Sequence, residues 1–234
     1  GFVHNGHSEK AIFVYADQST PVVYDQVSFT NERQKVSINV EKQDADNGNV
    51  VSGAVFGIYN AEDIINKDGD VIVNADTLLQ EMTSDDEGQA KCTLDLPLGQ
   101  YYVKELKAPA GFVSSDEILT FDASYQGQDV QTVELKAVKK NEPTVVEITK
   151  SDITTGVELD GAYLQVIDQD GNVIDSWESS KEEPHVIKYL TAGETYTLRE
   201  EFAPYGYLVA NDITFTVEDT AEIQKVEIKD EVPV

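Results

Sequence analysis

Apolar and polar residues alternate with period two along short runs rich in Val, Ile, Thr, Tyr and Phe. These runs recur roughly every ten residues, between Asp-Gly, Asn-Gly and Pro-x-Gly signals. That pattern predicts an all-β chain, because a strand sends successive side chains to opposite faces and buries only one of them. "NKDGDVIV" (66–73) and "DQDGNVI" (168–174) predict tight hairpins, with Asp-Gly supplying the positive φ angles such turns require. The one stretch that reads as helical is "ADTLLQEM" (75–82), expected to be a short insertion.

The pattern also repeats on a larger scale. "YYVKELKAPAGF" (101–112) returns as "YTLREEFAPYGY" (196–207), and three segments align after a Gly-aromatic pair, beginning at Gly1, Gly111 and Gly206. Each of the first two tails is followed by a similar opening, "KVSINVEKQDADNGNVVSGAVFGIY" from 35 and "TVVEITKSDITTGVELDGAYLQV" from 144. The expected organisation is a remnant of an upstream repeat over 1–34, one complete repeat over 35–143 and another over 144–234. Each complete repeat has the size of a small β-sandwich.

Within the strands, some residues keep step with the core although they are polar. Val36, Ile38, Val40 and Lys42 share a face, as do Val146, Ile148 and Lys150. Tyr101, Val103 and Glu105 are in phase, and so are Tyr196, Leu198 and Glu200. In the closing strands Val226, Ile228 and Asp230 are in phase, as are Val133, Leu135, Ala137 and Asn141 in a run that Lys139 interrupts; Val27, Phe29 and Asn31 repeat this in the remnant.

Taken singly, a strand lysine is a residue whose stem packs on a sheet while its head reaches water. Three polar residue types in the same order and phase in two repeats point elsewhere. Unpaired ions would be costly to bury, and burial lowers a lysine pKa while raising that of a glutamate. The combination favours a neutral, nucleophilic amine beside a protonated carboxyl. Such a carboxyl can polarise the side-chain carbonyl of Asn or Asp and shuttle protons as a tetrahedral intermediate collapses. The expected product is an isopeptide bond.

The 234 residues carry 17 Lys+Arg against 44 Asp+Glu, a net charge of −27, which disfavours nucleic acid and anionic membranes as partners. With 40% hydrophobic residues the chain has the apolar area an acidic disordered tail lacks. Cys92 is the single cysteine, so neither an intrachain disulfide nor a multi-cysteine zinc site is possible. No apolar run reaches the length of a membrane helix, and the first residues lack the apolar core of a signal peptide, so the chain reads as a piece of something larger.

These residues resemble the Cna-B family, the prealbumin-like or SpaA-type repeats of Gram-positive surface adhesins and pilins. The likeness rests on "EKQD...VVSGAVFGIY" and "TKSD...ELDGAYLQV", on the two glutamate-bearing stretches at 101–112 and 196–207, and on the closing "KKNEP" and "IKDEVP". It implies two tandem Ig-like, prealbumin-like β-sandwich domains at an extracellular, cell-wall-attached surface, with adjacent repeats of the same polypeptide or pilus as partners. It further implies that Lys42 joins Asn141 with Glu105 assisting and ammonia leaving, and that Lys150 joins Asp230 with Glu200 assisting and water leaving. Asn31 resembles an acyl partner separated from its lysine and glutamate, and is expected to be unbonded. "LPLGQ" (96–100) lacks the threonine of a sortase signal and falls where the family has a turn.

Other roles have weaker support. A domain gripping a host matrix protein or glycan would need an exposed anchor, for which Trp177 is the candidate, though a lone strand tryptophan more often belongs to core or rim. Conventional catalysis finds no nucleophile motif; His4, His7 and His185 are scattered, and Cys92 in "AKCTL" reads as an ordinary strand residue rather than a thioester. "DQDGN" and "NKDGD" lack the closing glutamate of a calcium loop, so neither a metal nor a cofactor is expected.

Overall fold

A computed structural model describes residues 2–4 and 31–233. Its strands are β1 (Phe2–His4), β2 (Asn31–Arg33), β3 (Lys35–Asp44), β4 (Val55–Asn60), β5 (Ile64–Ile65), β6 (Val71–Val73), β7 (Leu78–Thr83), β8 (Gln89–Lys91) and β9 (Gly99–Lys107). They continue as β10 (Leu119–Ala123), β11 (Thr132–Asn141), β12 (Val145–Asp152), β13 (Tyr163–Ile167), β14 (Val173–Glu178), β15 (His185–Lys188), β16 (Thr195–Phe202), β17 (Ile213–Thr216) and β18 (Gln224–Asp230). The described residues contain no helix.

The sheets assemble as two β-sandwiches in tandem. In the first, β10-β9-β4-β7 faces β11-β3-β8; in the second, β17-β16-β13-β14 faces β18-β12-β15. The two orders correspond strand for strand, which is the structural counterpart of the sequence repeat. In each three-stranded sheet the first strand lies parallel to the last: β3 beside β11 and β12 beside β18.

Alternation sets the core. Along β3, exposed and half-buried positions alternate strictly with buried ones, which places Val36, Ile38, Val40 and Lys42 inside. The first core joins these apolar residues to Phe56, Ile58, Tyr101 and Val103 of the opposite sheet. The second joins Val146 and Ile148 to Leu164, Val166, Tyr196 and Leu198. Enclosing a side chain such as Ile38 or Leu198, each with no exposure, contributes about 1.5–3 kcal/mol.

Both predicted hairpins form. Asn66 and Asp70 close a turn between β5 and β6 around Gly69, and Asp168 and Asn172 close one between β13 and β14 around Gly171. The helix expected over 75–82 does not form: Leu78–Thr83 is β7, paired antiparallel with β4. Only Met82 of its apolar residues is fully buried, and Leu78 is exposed. The segment expected to be helical is a half-covered strand, and the insertion relative to the second repeat is the β5-β6 hairpin that precedes it.

The backbone of Phe2–His4 pairs with Asn31–Arg33. Most of the 1–34 segment, the side chain of Asn31 included, lies outside the described residues, as do Val27 and Phe29.

Candidate crosslinking sites

In the second sandwich the period-two phase of β12 turns Lys150 inward behind Val146 and Ile148. Its Nζ touches Asp230 Oδ1 on the neighbouring strand β18 and lies 3.0 Å from Glu200 Oε1, which β16 sends across from the facing sheet. All three side chains are sealed from solvent. Glu200 Oε2 accepts the backbone N–H of Ala210 at 2.6 Å. Burial pushes the Glu200 carboxyl upward and a hydrogen bond with Asp230 adds to this, against the Ala210 N–H and Lys150. The glutamate is thus drawn toward its protonated form in a place where it can carry a proton to a neighbour.

The first sandwich sets the corresponding residues on the equivalent strands, with an asparagine in place of the aspartate: Lys42 on β3, Glu105 on β9 and Asn141 on β11. Asn141 Nδ2 donates to Glu105 Oε2 at 2.7 Å and to Val113 O at 2.8 Å. Glu105 Oε2 also accepts the N–H of Ser115 at 3.2 Å. Ser115 and Ala210 each stand ten residues beyond their glutamate, so both repeats use the same loop position to hold that carboxyl. The Lys42 amine is less engaged than its twin. It donates to Gln43 O at 3.1 Å and lies 5.4 Å from the centroid of the Phe112 ring. Burial pushes it down to about 8; Glu105 opposes this, Lys139 reinforces it and Asp44 opposes it.

Unpartnered atoms mark both sites. Among the described residues five buried side-chain oxygens lack a hydrogen-bond partner, and four of them are Glu105 Oε1, Asn141 Oδ1, Glu200 Oε1 and Asp230 Oδ2. Glu200 Oε1 is within ion-pair distance of Lys150 but without hydrogen-bond alignment. An orphaned buried acceptor costs about 1–3 kcal/mol, and four of the five fall in the two corresponding clusters.

Lys139, which breaks the apolar pattern of β11, is in phase with the core and almost fully enclosed. Its Nζ donates to Ser115 Oγ at 2.7 Å, Glu117 Oε2 at 2.8 Å and Glu117 O at 3.1 Å. Sequence reading saw the interruption and missed its partners, which lie in a loop with no periodicity to reveal them. It also missed Asp44 and Asp152, buried two residues after each lysine; the shared spacing was the available signal.

Trp177 is half-buried, packs on the second core and stacks on His185 with ring centroids 4.0 Å apart. Cys92 packs against the first core, and burial raises its thiol pKa. Among the described residues no three His, Cys, Asp or Glu side chains group as a metal site, and no helix is long and apolar enough to cross a membrane. Tyr59 and Tyr102 stack with centroids 5.0 Å apart and Lys104 over both rings, and Tyr102 and Lys104 border a shallow cleft with Gln100, Asp76 and Thr120.

Comparison with solved structures finds the same architecture elsewhere. The chain is similar to the Bacillus anthracis TIE protein at 25% identity and a TM-score of 0.51, covering 88% of this chain and 37% of that one. It is similar also to the C-terminal fragment of the pilus adhesin SpaC from Lactobacillus rhamnosus GG at 17% identity and a TM-score of 0.52, covering 86% of this chain and 98% of that one. No curated protein matches the sequence. The SpaA prealbumin-like fold domain matches twice, over residues 36–139 and 144–232, one match to each sandwich: the chain belongs to the SpaA prealbumin-like domain family.

Proposed function

We propose that the chain is a load-bearing module of a Gram-positive cell-surface or pilus protein, built from repeats at 35–143 and 144–234, each closed by an isopeptide bond that it forms itself. The observation that carries this reading is the sealed cluster of Lys150, Glu200 and Asp230, with its counterpart of Lys42, Glu105 and Asn141 on the matching strands.

In the first repeat the neutral Nζ of Lys42 attacks Cγ of Asn141. Glu105, protonated, donates to Oδ1 as negative charge develops there, then relays the proton lost by the amine to the departing nitrogen; an amide forms and ammonia leaves. In the second repeat Lys150 Nζ attacks Cγ of Asp230 with Glu200 in the same role, and the oxygen departs as water. No external reagent is consumed, and each repeat reacts once.

Each bond would tie the first strand of a sandwich to its parallel last strand. Closing loops over residues 42–141 and 150–230 removes unfolded-state entropy worth about 4–5 kcal/mol each, by analogy with a disulfide. Tension entering at one end of a repeat and leaving at the other would pass through the covalent link, so the intervening hydrogen bonds need not peel. Intact-mass measurement tests the reading. The chain should weigh less than its sequence by one ammonia plus one water, and Glu105→Ala and Glu200→Ala should each restore one of them. A full calculated mass for the unmodified sequence would refute it.

Adhesion to a host matrix protein or glycan is a second reading, favoured by the Tyr59–Tyr102 platform rather than by Trp177. Binding of the chain to a glycan panel, lost in Tyr102→Ala, would support it.

A further inference from the structure

In each repeat an aspartate stands two residues after the buried lysine and an aromatic residue stands seven after the glutamate: Asp44 with Phe112, and Asp152 with Tyr207. In the second repeat this pair is self-contained. Asp152 Oδ1 accepts the N–H groups of Thr154 and Thr155, and Oδ2 accepts the Tyr207 hydroxyl at 3.0 Å. Phe112 has no hydroxyl to offer. In its place Asp44 Oδ2 accepts the hydroxyl of Tyr189, a residue of the second repeat, at 2.8 Å. Asn47 Nδ2 donates to both oxygens of that bond, to Asp44 Oδ2 at 2.7 Å and to Tyr189 Oη at 3.2 Å.

The rest of the joint is built round the same tyrosine. Its ring tilts against that of Phe112 with centroids 5.4 Å apart. Its backbone holds φ +67°, a region non-glycine residues adopt only when their surroundings impose it. Gly111 lies so close that a Cβ there would stand 2.6 Å from Tyr189 O, whereas Gly206, its counterpart, faces open space. Thr144, between the repeats, donates its N–H to Gly111 O and its hydroxyl to Leu190 O, and accepts the Tyr189 N–H. Lys188 pairs with Asp46 at 2.8 Å, and Asp219 Oδ1 accepts the Ser114 N–H at 2.8 Å.

We infer that Asp44, Gly111 and Phe112 form a socket on the first repeat that docks Tyr189 of the second and fixes the angle between them, while in the second repeat the equivalent place is filled by its own Tyr207. The residue seven after the glutamate then decides the behaviour of a joint: phenylalanine leaves the aspartate for the following repeat, and tyrosine satisfies it from within. The partner is the adjacent repeat of the same chain. This inference is independent of whether either isopeptide bond forms.

Residual dipolar couplings on the 234-residue chain test it. In the unmodified protein one alignment tensor should fit the amides of both repeats. Phe112→Tyr supplies a competing hydroxyl to Asp44 and should release Tyr189, so the common tensor is lost and each repeat needs its own. Tyr189→Phe keeps the ring and removes only the hydroxyl, and should likewise lose the common tensor. Unchanged core amide shifts in each repeat would show that both still fold, and should Phe112→Tyr disturb the first core, the exposed Tyr189→Phe decides. Separate tensors in the unmodified protein, or a common tensor surviving Tyr189→Phe, would overturn the inference.

Discussion

Lys150 and Asp230 meet amine to carboxyl between parallel neighbouring strands, with Glu200 of the opposite sheet 3.0 Å from the same nitrogen. One cation and two carboxyls sealed in one place are balanced only if a carboxyl holds a proton or the amine and an acyl group have condensed. Asp230→Ala leaves Lys150 and Glu200 buried without their third member and removes any bond. It should destabilise the second repeat by about 4 kcal/mol or more, seen in calorimetry as a fall of one transition while the other holds. Asp230→Asn should retain the bond and release ammonia in place of water; because both routes end in the same amide, the crosslinked variant should have the same intact mass as the crosslinked unmodified chain.

The Lys42 amine, pushed down to about 8 chiefly by burial, makes a prediction about pH. Asn141→Ala removes the acyl partner and leaves the amine free to titrate. An unfolded lysine titrates near about 10.4, so between about 8 and that value the unfolded chain binds the extra proton. Stability of this variant should therefore rise with pH across that window, by up to about 1.4 kcal/mol per unit, and show no dependence from this group below it. In the unmodified protein the nitrogen would be an amide and the rise absent. Urea unfolding at a series of pH values compares the two; equal slopes would show that the amine of the unmodified chain is still free.

The two-sandwich fold and the facing of these side chains were legible in the sequence because the chain writes the pattern twice. Period-two phase alone put Lys42, Lys150, Glu200 and Asp230 inside and Glu105 on the same face as its core neighbours, where it is half-buried, since a strand residue cannot change face without shifting every neighbour. What was not legible depends on chain segments without a period. The N–H groups of Ser115 and Ala210 reach their glutamates from loops, Glu117 reaches Lys139 from another, and Tyr189 crosses from one repeat to the next. The helix expected over 75–82 failed because Leu78–Thr83 shows no clean alternation, with only Met82 fully buried, and only pairing with β4 decides its structure.

Lys139 tests how the first site is tuned. Its ammonium, held by Ser115 and Glu117, faces Lys42 across the β3-β11 register and helps to depress that amine, which Glu105 and Asp44 oppose. Lys139→Met should raise the Lys42 pKa, lower the neutral fraction at pH 7 and slow the loss of ammonia after refolding from a denatured, uncrosslinked chain. Slowing should diminish as pH is raised, because the neutral fraction recovers. A purely structural role would slow the reaction equally at every pH. Peptide mapping should find Asn141 joined to Lys42 and none of it joined to Lys139.

The two motif glycines should respond differently to the same substitution. Gly111 and Gly206 both hold positive φ, +84° and +91°, so alanine at either costs about 1–2 kcal/mol in backbone strain. At Gly206 that is the whole cost, for the new Cβ meets nothing. At Gly111 it would meet Tyr189 O at 2.6 Å and Tyr189 Cβ at 2.9 Å, and backbone cannot give way as a side-chain tip can. Tyr189 must then move, taking its hydroxyl from Asp44 and its ring from Phe112. Gly206→Ala should lower only the unfolding temperature of the second repeat and keep a common alignment tensor. Gly111→Ala should lower that of the first and lose the common tensor as well. Equal effects from the two would mean that the close approach of Gly111 to Tyr189 contributes nothing to the joint, and that the glycine is there for its dihedral angle alone.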